Sequence, residues 1–441
     1  MASEKIGLTE SISMAVGGMV GGGIFAVLGV VAAAADTLAW LAFIVAGIIA
    51  MAAGYSFVRL GKLSGDGGGP LTYIERFTGS TKLAGMTGWT FIVGYIGTMA
   101  MYSYAFGGYF TELVGLTRIA GIPARPFVSG LVIVLFVGLN VLGAHASGRT
   151  EDVLVGLKVL ILLVFGFGGL YYGYKNGKLH TGFAKLGVGP VIAAALSFVA
   201  FEGWELLLFD RDSIKDPAET IRKAIYISIV GVTAIYIIVA VVTTNLVSPL
   251  EIKQNAETAL AVAARPFLGQ TGFVLISIAA LFSTGSAINA TLFSSSRLLS
   301  EMVTEDYLPA QIGADGGGEP VRALVILGTL TAAFTVVGSL NGISSFASLA
   351  FITIFGAASY LALKNRSSDD LKTVIVPAIG TVGAIATIVA LVWHLYTAEN
   401  SVFWTVAIIT IVVVVVEVAY FERKSIEEKA ASVEAEIEEY V

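Results

Sequence analysis

The chain has 441 residues, of which 56% are hydrophobic and only 13% are charged, and its mean hydropathy is +0.85. Because a soluble domain carries about 25% charged residues, this composition predicts an integral membrane protein and makes an enzyme the least expected class. The net charge of −6 argues against nucleic-acid binding, the absence of cysteine excludes disulfides and thiolate chemistry, and three scattered histidines provide no metal-binding pattern, so no metal and no cofactor are expected.

Twelve apolar stretches are long enough to cross a hydrocarbon core of about 30 Å. We predict that all of them are helices, because backbone exposed to lipid must satisfy its own hydrogen bonds. They lie near residues 9–35, 38–60, 83–115, 126–145, 152–174, 189–209, 220–246, 271–300, 321–340, 344–363, 373–394 and 401–421. Residues 254–267 are predicted to form a short helix on the outer surface that ends at Pro266.

The basic residues predict the orientation of the chain in the membrane. Of the 26 lysines and arginines, eighteen fall on the side that carries both termini, seven fall on the other side, and Lys158 lies within a span. An excess of positive charge marks the cytoplasmic side. We therefore predict a multi-pass protein of the cell (plasma) membrane with both termini in the cytoplasm.

The first span has an unusual concentration of glycine, in the run GGMVGGGIF that extends from Gly17 to Phe25. Five glycines in seven residues destabilise a helix by roughly 1 kcal/mol each relative to alanine. One interpretation is a small-residue face, since GxxxG spacing lets helices pack closely. We favour a second interpretation, in which the span unwinds near its midpoint and exposes backbone N–H and C=O groups.

The sixth span is interrupted by charge, because its central run FVAFEGWE contains Glu202, Gly203 and Glu205. A carboxylate at the centre of a bilayer costs at least about 2.5 kcal/mol, so it needs a partner or a cavity. Interrupted spans that lie five spans apart are typical of two inverted repeats with a ligand site at their interface. The predicted fold is therefore an all-α membrane protein with a five-plus-five inverted repeat and two extra C-terminal helices.

The predicted boundaries follow from this arrangement. They give a first repeat over 1–182, a second repeat over 183–366, two further spans over 367–421 and a cytoplasmic tail over 422–441.

The two interruptions together have the chemistry of a site for a zwitterion. A half-helix that begins near Gly22 and Gly23 would present free N–H groups and the positive end of its dipole to a carboxylate. Unwound carbonyls would accept hydrogen bonds from an ammonium group. We expect Phe201 and Trp204 to close over the side chain of the ligand.

Four motifs carry a resemblance to a known family. They are GGMVGGGIFAVLG, FVAFEGWE, DSIKDPAETIRKAI and SAINATLFSSSRLLSEMVTEDYLP. They resemble motifs of the amino acid–polyamine–organocation (APC) transporter superfamily, whose members share the five-plus-five (LeuT-like) fold. Two positions depart from its pattern, Asp216 where asparagine is usual and Ile221 where proline is usual. Both lie in a predicted cytoplasmic loop.

The runs ALAVAARPFLG and ISIAALFS further resemble an archaeal proton-coupled amino acid transporter of this superfamily. This resemblance implies secondary active, proton-coupled and sodium-independent uptake of amino acids by alternating access. It also implies that backbone groups bind the substrate at Met19, Gly22 and Gly23 in the first span and near Val199 and Glu202 in the sixth.

Lys158 lies about two turns inside the fifth span and has two interpretations. One is a lysine that snorkels to the cytoplasmic interface, which lies roughly 10 Å away at 1.5 Å per residue. The alternative, which the resemblance favours, is a buried amine that gives up and regains the transported proton. Related sodium-coupled transporters hold a cation between the first and eighth helices, and the matching groups here are the Gly17 carbonyl and the Ser283 and Thr284 hydroxyls.

Two carboxylates compete with Lys158 for the proton-coupling role. Glu205 occupies the acidic position of the family motif, and Glu202 lies beside the expected substrate. Glu202 could instead select amines or point into an aqueous vestibule. The alternative function is therefore transport or exchange of amines, polyamines or cationic amino acids. A substrate sensor and a channel are less consistent with the sequence, which has no long signalling domain and has broken helices that favour alternating access.

The expected partners are an amino acid substrate, protons and the lipid bilayer, with no nucleic acid. We expect a monomer or a weak dimer.

Overall fold

The fold was analysed in a computed structural model that describes residues 5–65, 68–142, 148–309, 312, 321–367 and 370–439. It is all-α apart from a two-residue hairpin, β1 (Arg118–Ile119) and β2 (Ile122–Pro123). The helices of the first half are α1 (Leu8–Ala35), α2 (Ala39–Leu63), α3 (Pro70–Thr78), α4 (Thr81–Val114), α5 (Ala124–Val141) and α6 (Gly148–Lys175). Those of the second half are α7 (Gly189–Ser197), α8 (Leu206–Phe209), α9 (Pro217–Leu246), α10 (Pro249–Gln254), α11 (Ala259–Thr304), α12 (Val321–Val337), α13 (Leu340–Lys364), α14 (Lys372–Ala398) and α15 (Asn400–Glu439).

The prediction of an all-α membrane protein is confirmed. Within the described residues, nine segments are long and apolar enough to cross a membrane, and one of them, Leu8–Leu63, contains both α1 and α2. The long helix α4 and the shorter apolar helix α12 lie at the third and ninth predicted spans. The total of twelve spans and the boundaries of the two repeats remain predictions. Residues 440–441 of the predicted tail lie outside the described residues.

Helix α1 is the central element of the bundle and is buried along most of its length. It packs against α4, α6, α7, α9 and α11. Its 28 residues form one helix, so the unwinding that we favoured for the first span is wrong for this structure. The backbone N–H groups near Gly22 and Gly23 therefore lie inside a helix, and the glycines instead allow neighbouring elements to approach, as the small-residue interpretation holds.

The sixth span is interrupted as predicted. Helix α7 ends at Ser197, a short 3-10 turn covers Phe198–Phe201, and the backbone at Glu202 is extended, with φ −74° and ψ 147°. Gly203 follows at φ 125°, a conformation that only glycine adopts readily, and helix resumes as α8. This interruption lies against α1, α2 and α13.

The predicted short helix at 254–267 differs from the structure at both ends. Helix α11 begins at Ala259 and continues through Pro266 to a kink at Gly269, where φ is 62°. Because the residues on both sides of Pro266 stay helical, the chain changes direction only where glycine permits a positive φ.

Candidate functional site

The interruption of the sixth span is in direct backbone contact with α1. A Cβ added to Gly18 would lie 2.7 Å from the Gly203 Cα, and one added to Gly23 would lie 2.8 Å from the Ala200 Cα. These distances are shorter than real Cβ contacts, so only glycine fits at either position. The glycine run of α1 and the broken sixth span are therefore in direct contact, through close packing of a continuous α1.

A tyrosine on α9 holds the two elements together. The Tyr236 hydroxyl lies 2.6 Å from the Met19 carbonyl and 2.9 Å from the Ala200 carbonyl, so it bridges the α1 backbone and the 3-10 turn. The Phe201 ring packs edge-on against the Tyr236 ring, with centroids 5.4 Å apart. Sequence reasoning assigned Met19 and Phe201 to the substrate and missed the tyrosine that contacts both.

We expect Tyr236→Phe to lower both stability and transport. The substitution keeps the ring but removes the hydroxyl hydrogen that the Met19 and Ala200 carbonyls share, and an unsatisfied buried group costs about 1–3 kcal/mol. The thermal midpoint in detergent should fall, and amino acid uptake should fall by about tenfold, since 1.4 kcal/mol is a factor of ten. The control is Tyr360→Phe, because Tyr360 is exposed on α13. Equal midpoints for the two variants would contradict the bridging role.

Two serines on α13 bind the backbone where α7 ends. The Ser344 and Ser348 hydroxyls donate to the Leu196 carbonyl at 2.9 and 3.1 Å, and the Val199 N–H donates to the Ser348 Oγ at 3.1 Å. They satisfy backbone groups that the helix break leaves without helical partners. Their spacing of four residues was a signal that both face the same neighbour.

The two carboxylates of the broken span are buried and each meets a tyrosine of α4. The Tyr102 hydroxyl donates to Glu202 Oε2 at 3.0 Å, and the Tyr95 hydroxyl lies 3.4 Å from Glu205 Oε1. The Gly203 N–H donates to Glu205 Oε2 at 2.8 Å, which ties that carboxylate to the break itself. Glu202 Oε1 is buried and has no hydrogen-bond partner within the described part of the chain.

The Tyr102 ring occupies the face of α1 at which sequence reasoning placed the substrate. A Cβ added to Gly22 would lie 1.9 Å from the Tyr102 Cδ1. Trp204, which we expected to close over a ligand, is fully buried between Phe57 and Phe355, with ring centroids 5.9 and 4.9 Å away. In this structure Trp204 therefore packs in the core.

Lys158 is buried in α6, with 4% of its surface exposed. Its Nζ donates to the Ser286 Oγ of α11 at 2.6 Å, and Ser286 in turn donates to the Ser283 carbonyl at 3.1 Å. The burial does not fit the snorkelling interpretation.

The two hydroxyls that we expected beside Lys158 form hydrogen bonds with other groups. Ser283 donates to the Val20 carbonyl of α1 at 3.2 Å, and Thr284 donates to the Ala280 carbonyl of its own helix at 2.7 Å. Among the described residues the Ser286 hydroxyl contacts the amine, and sequence reasoning missed it.

Comparison with known proteins decides the family. The model of the amino acid permease family matches residues 6–416. The chain belongs to the amino acid permease family.

Two relatives match this permease over nearly the whole length of both chains, and a third matches over a shorter part. It is 29% identical over 426 residues to an uncharacterized protein of Methanocaldococcus jannaschii, covering 95% of this chain and 96% of that one. It is 29% identical over 410 residues to the inner membrane transport protein YbaT of Escherichia coli, covering 92% and 94%. It is 27% identical over 316 residues to the serine/threonine exchanger SteT of Bacillus subtilis, covering 69% of each chain.

A solved structure shares the fold. The crystal structure of a manganese transporter mutant from Eremococcus coleocola superposes with a TM-score of 0.58 over 96% of this chain and 95% of that chain, at 13% identity. The APC resemblance and the transport of amino acids by a membrane protein that is not an enzyme are confirmed by the family and its relatives.

Proposed function

We propose that this permease takes up amino acids together with protons, independently of sodium, by alternating access, and that Lys158 carries the coupled proton. The observation that supports the proposal is the buried Lys158 amine between α6 and α11, bonded to Ser286 at 2.6 Å. A charged lysine inside a membrane is unfavourable in free energy, so its presence there points to a function.

A chain of hydrogen bonds connects Lys158 to α1, the helix at which we propose below that the substrate binds. The amine donates to Ser286, Ser286 donates to the Ser283 carbonyl, and the Ser283 hydroxyl donates to the Val20 carbonyl of α1. We propose that the charged amine holds α1, α6 and α11 together through this chain, and that the Gly17 carbonyl and the Thr284 hydroxyl join it during the transport cycle. Loss of the proton weakens the bond from the amine to Ser286, because hydrogen bonds from a charged donor are about twice as strong as neutral ones.

We propose that the substrate binds between α1 and the broken span. Its carboxylate would bind at Gly22 and Gly23, and its ammonium would bind at the carbonyls near Met19, Val199 and Glu202. Binding requires the Tyr102 ring to leave Gly22 and the glycine-rich turn of α1 to open, which its weak helix propensity favours. Phe201 and Trp204 would then follow the movement of the break and enclose the ligand.

Glu205 is the second group that we propose for proton coupling. Its carboxylate bonds the N–H of Gly203 and faces Tyr95 of α4. A change in its protonation would therefore act on the break directly. The two candidates predict different results. If Lys158 carries the proton, Lys158→Ala should lose proton-driven uptake, and if Glu205 carries it, Glu205→Gln should lose it.

The test is uptake into liposomes that contain the purified permease. A radiolabelled mixture of neutral amino acids is supplied with an inward proton gradient, with and without sodium. We expect accumulation that requires the gradient and is unchanged by sodium. Accumulation that requires sodium would contradict the proposal and assign the region around Gly17 and Ser283 to a metal cation.

A second candidate function is the transport of amines, polyamines or cationic amino acids. It rests on Glu202, whose Oε1 is buried without a partner in the described part of the chain and lies beside the proposed site. A buried acceptor of this kind is suited to a second ammonium group on the ligand.

We expect Glu202→Gln to separate the two candidates. If the site is selective for amines, competition by putrescine, agmatine and lysine against labelled uptake should weaken by about tenfold in the variant, the effect of one charge-assisted hydrogen bond. The matched control is Glu417→Gln, which alters a buried carboxyl in the last span. Competition by neutral amino acids alone, in both wild type and variant, would contradict the amine function.

We also propose that both termini face the cytoplasm and that the permease is a monomer or a weak dimer.

A further inference from the structure

A cavity of about 740 Å³ lies at the end of the bundle that the charge distribution assigns to the outside. Its walls are the end of α1, the ends of α4 and α14, the starts of α5 and α13, and the turn 255–258 between α10 and α11. Leu196 also lines it, one residue before the end of α7. The cavity is within the usual size range of small-molecule sites and adjoins the broken span.

One wall of the cavity carries an arginine that is held in place. The Arg125 guanidinium lies 3.5 Å from the centroid of the Tyr104 ring, and its Nε is 3.7 Å from Glu257 Oε1. That separation exceeds the 2.7–2.9 Å or so of a direct charge-assisted hydrogen bond. The Arg125 Nη1 is buried without a hydrogen-bond partner in the described residues. The guanidinium is therefore held in a fixed orientation, but some of its N–H groups have no acceptor among the described residues.

The acidic partner is constrained as well. Burial raises the pKa of the Glu257 carboxyl above its usual range, while the nearby Arg125 guanidinium and a hydrogen bond with Tyr104 act against this rise. Glu112 on the same wall contacts both Thr258 and Arg265, so its oxygens already have partners. Of these two carboxylates, Glu257 is thus the one that a ligand cation reaches with less disruption.

The remaining wall offers further polar groups and a small apolar surface. Lys253 and Glu399 line the cavity, and neither forms an ion pair within the part of the chain that the structure describes. The Asn341 Oδ1 is buried without a partner among the same residues. Val30 and Ala34 of α1 form the apolar side.

The turn that carries Glu257 is seated directly on α1. A Cβ added to Gly29 would lie 2.1 Å from the Ala256 carbonyl oxygen. A ligand that rearranges the Arg125–Glu257 contact therefore acts on a turn that covers the outer end of the substrate helix.

We infer that this cavity is a second amino acid site, in which Arg125 binds the carboxylate of a zwitterionic amino acid and Glu257 binds its ammonium group. Insertion of the zwitterion between the two side chains replaces one ion pair at 3.7 Å with two shorter ones and leaves no net charge uncompensated. A guanidinium recognises a carboxylate with two parallel bonds, and the stacked Tyr104 ring holds it in the required plane. This inference rests on the proposed function for the identity of its ligand.

The test is binding stoichiometry on the purified full-length permease. Tritiated L-alanine, L-serine and L-leucine are measured one at a time to saturation. For at least one of them we expect two molecules per wild-type chain and one per Arg125→Gln chain. In liposomes, the KM for uptake by Arg125→Gln should rise about tenfold with little change in kcat, since the ligand loses a charge-assisted contact before it reaches the central site.

Further variants keep the result interpretable. Glu257→Gln retains a side chain that can bond Tyr104 and should also bind one molecule. Arg118→Gln, which alters an exposed arginine of the hairpin, should bind two. One molecule per chain in wild type, with normal uptake, would overturn this inference and leave the proposed function intact. No binding of any of the three would overturn the inference and would also count against the proposed function.

Discussion

Gly203→Ala is expected to prevent most of the permease from folding. Gly203 has φ 125°, and a Cβ added there would lie 2.7 Å from the Gly18 Cα and 2.8 Å from the Met19 nitrogen. Both obstacles are backbone of the central helix, which cannot move without separating α1 from the broken span. The unfavourable φ alone costs about 1–3 kcal/mol, and displacement of α1 adds to it. Size-exclusion profiles and thermal midpoints in detergent measure the loss.

The control for this variant is Gly231→Ala. Gly231 lies within α9, and a Cβ added there meets no atom within 4 Å. Alanine has the higher helix propensity, so this variant should be as stable as the wild type or slightly more stable. A Gly203→Ala protein with a wild-type profile and midpoint would show that the contact between α1 and the broken span is looser than described.

Lys158→Ala is expected to reduce proton-driven uptake by roughly a hundredfold, which is near the upper end of typical coupling between two sites. The variant removes the amine that bonds Ser286, so the link from α6 through α11 to α1 has no group that responds to the proton. Binding of the substrate in detergent should survive, because Lys158 is not among the groups proposed to bind it. Uptake and equilibrium binding measured on the same preparation separate these effects.

The matched variant is Lys175→Ala, in the last turn of the same helix, where the lysine is exposed. It should accumulate substrate at the wild-type rate. Gradient-driven uptake that persists in Lys158→Ala would remove the lysine from the coupling mechanism and leave Glu205 as the proposed proton site.

The broken sixth span was predictable because its signals are local. Two carboxylates and a glycine interrupt an apolar stretch, and a carboxylate at that depth in the membrane needs a cavity or a partner. The opposite outcome for α1 shows what local signals leave out. Five glycines weaken a helix, yet they also let Gly203, Ala200 and Tyr102 approach it closely, and that packing depends on elements distant in sequence.

Most contacts of the site could not be predicted, because they depend on how each helix is rotated about its axis, and one sequence does not reveal this. Tyr95 and Tyr102 are seven residues apart, a spacing that places both on one face of α4, and this pattern was a usable signal for their contacts with the two carboxylates. The choice of Ser286 over Ser283 as the hydroxyl that meets Lys158 was not accessible in this way. It depends on the rotation of α11 about its own axis relative to α6, which long-range packing sets.

The decisive measurement follows protons and amino acid in the same vesicles. Liposomes with an internal pH-sensitive dye receive a labelled neutral amino acid in sodium-free medium, for the wild type and for Lys158→Ala at equal protein content. In the wild type we expect entry of the amino acid to acidify the interior. In Lys158→Ala we expect neither acidification nor accumulation, although the amino acid still binds. Acidification that accompanies amino acid entry in Lys158→Ala would show that another group carries the proton.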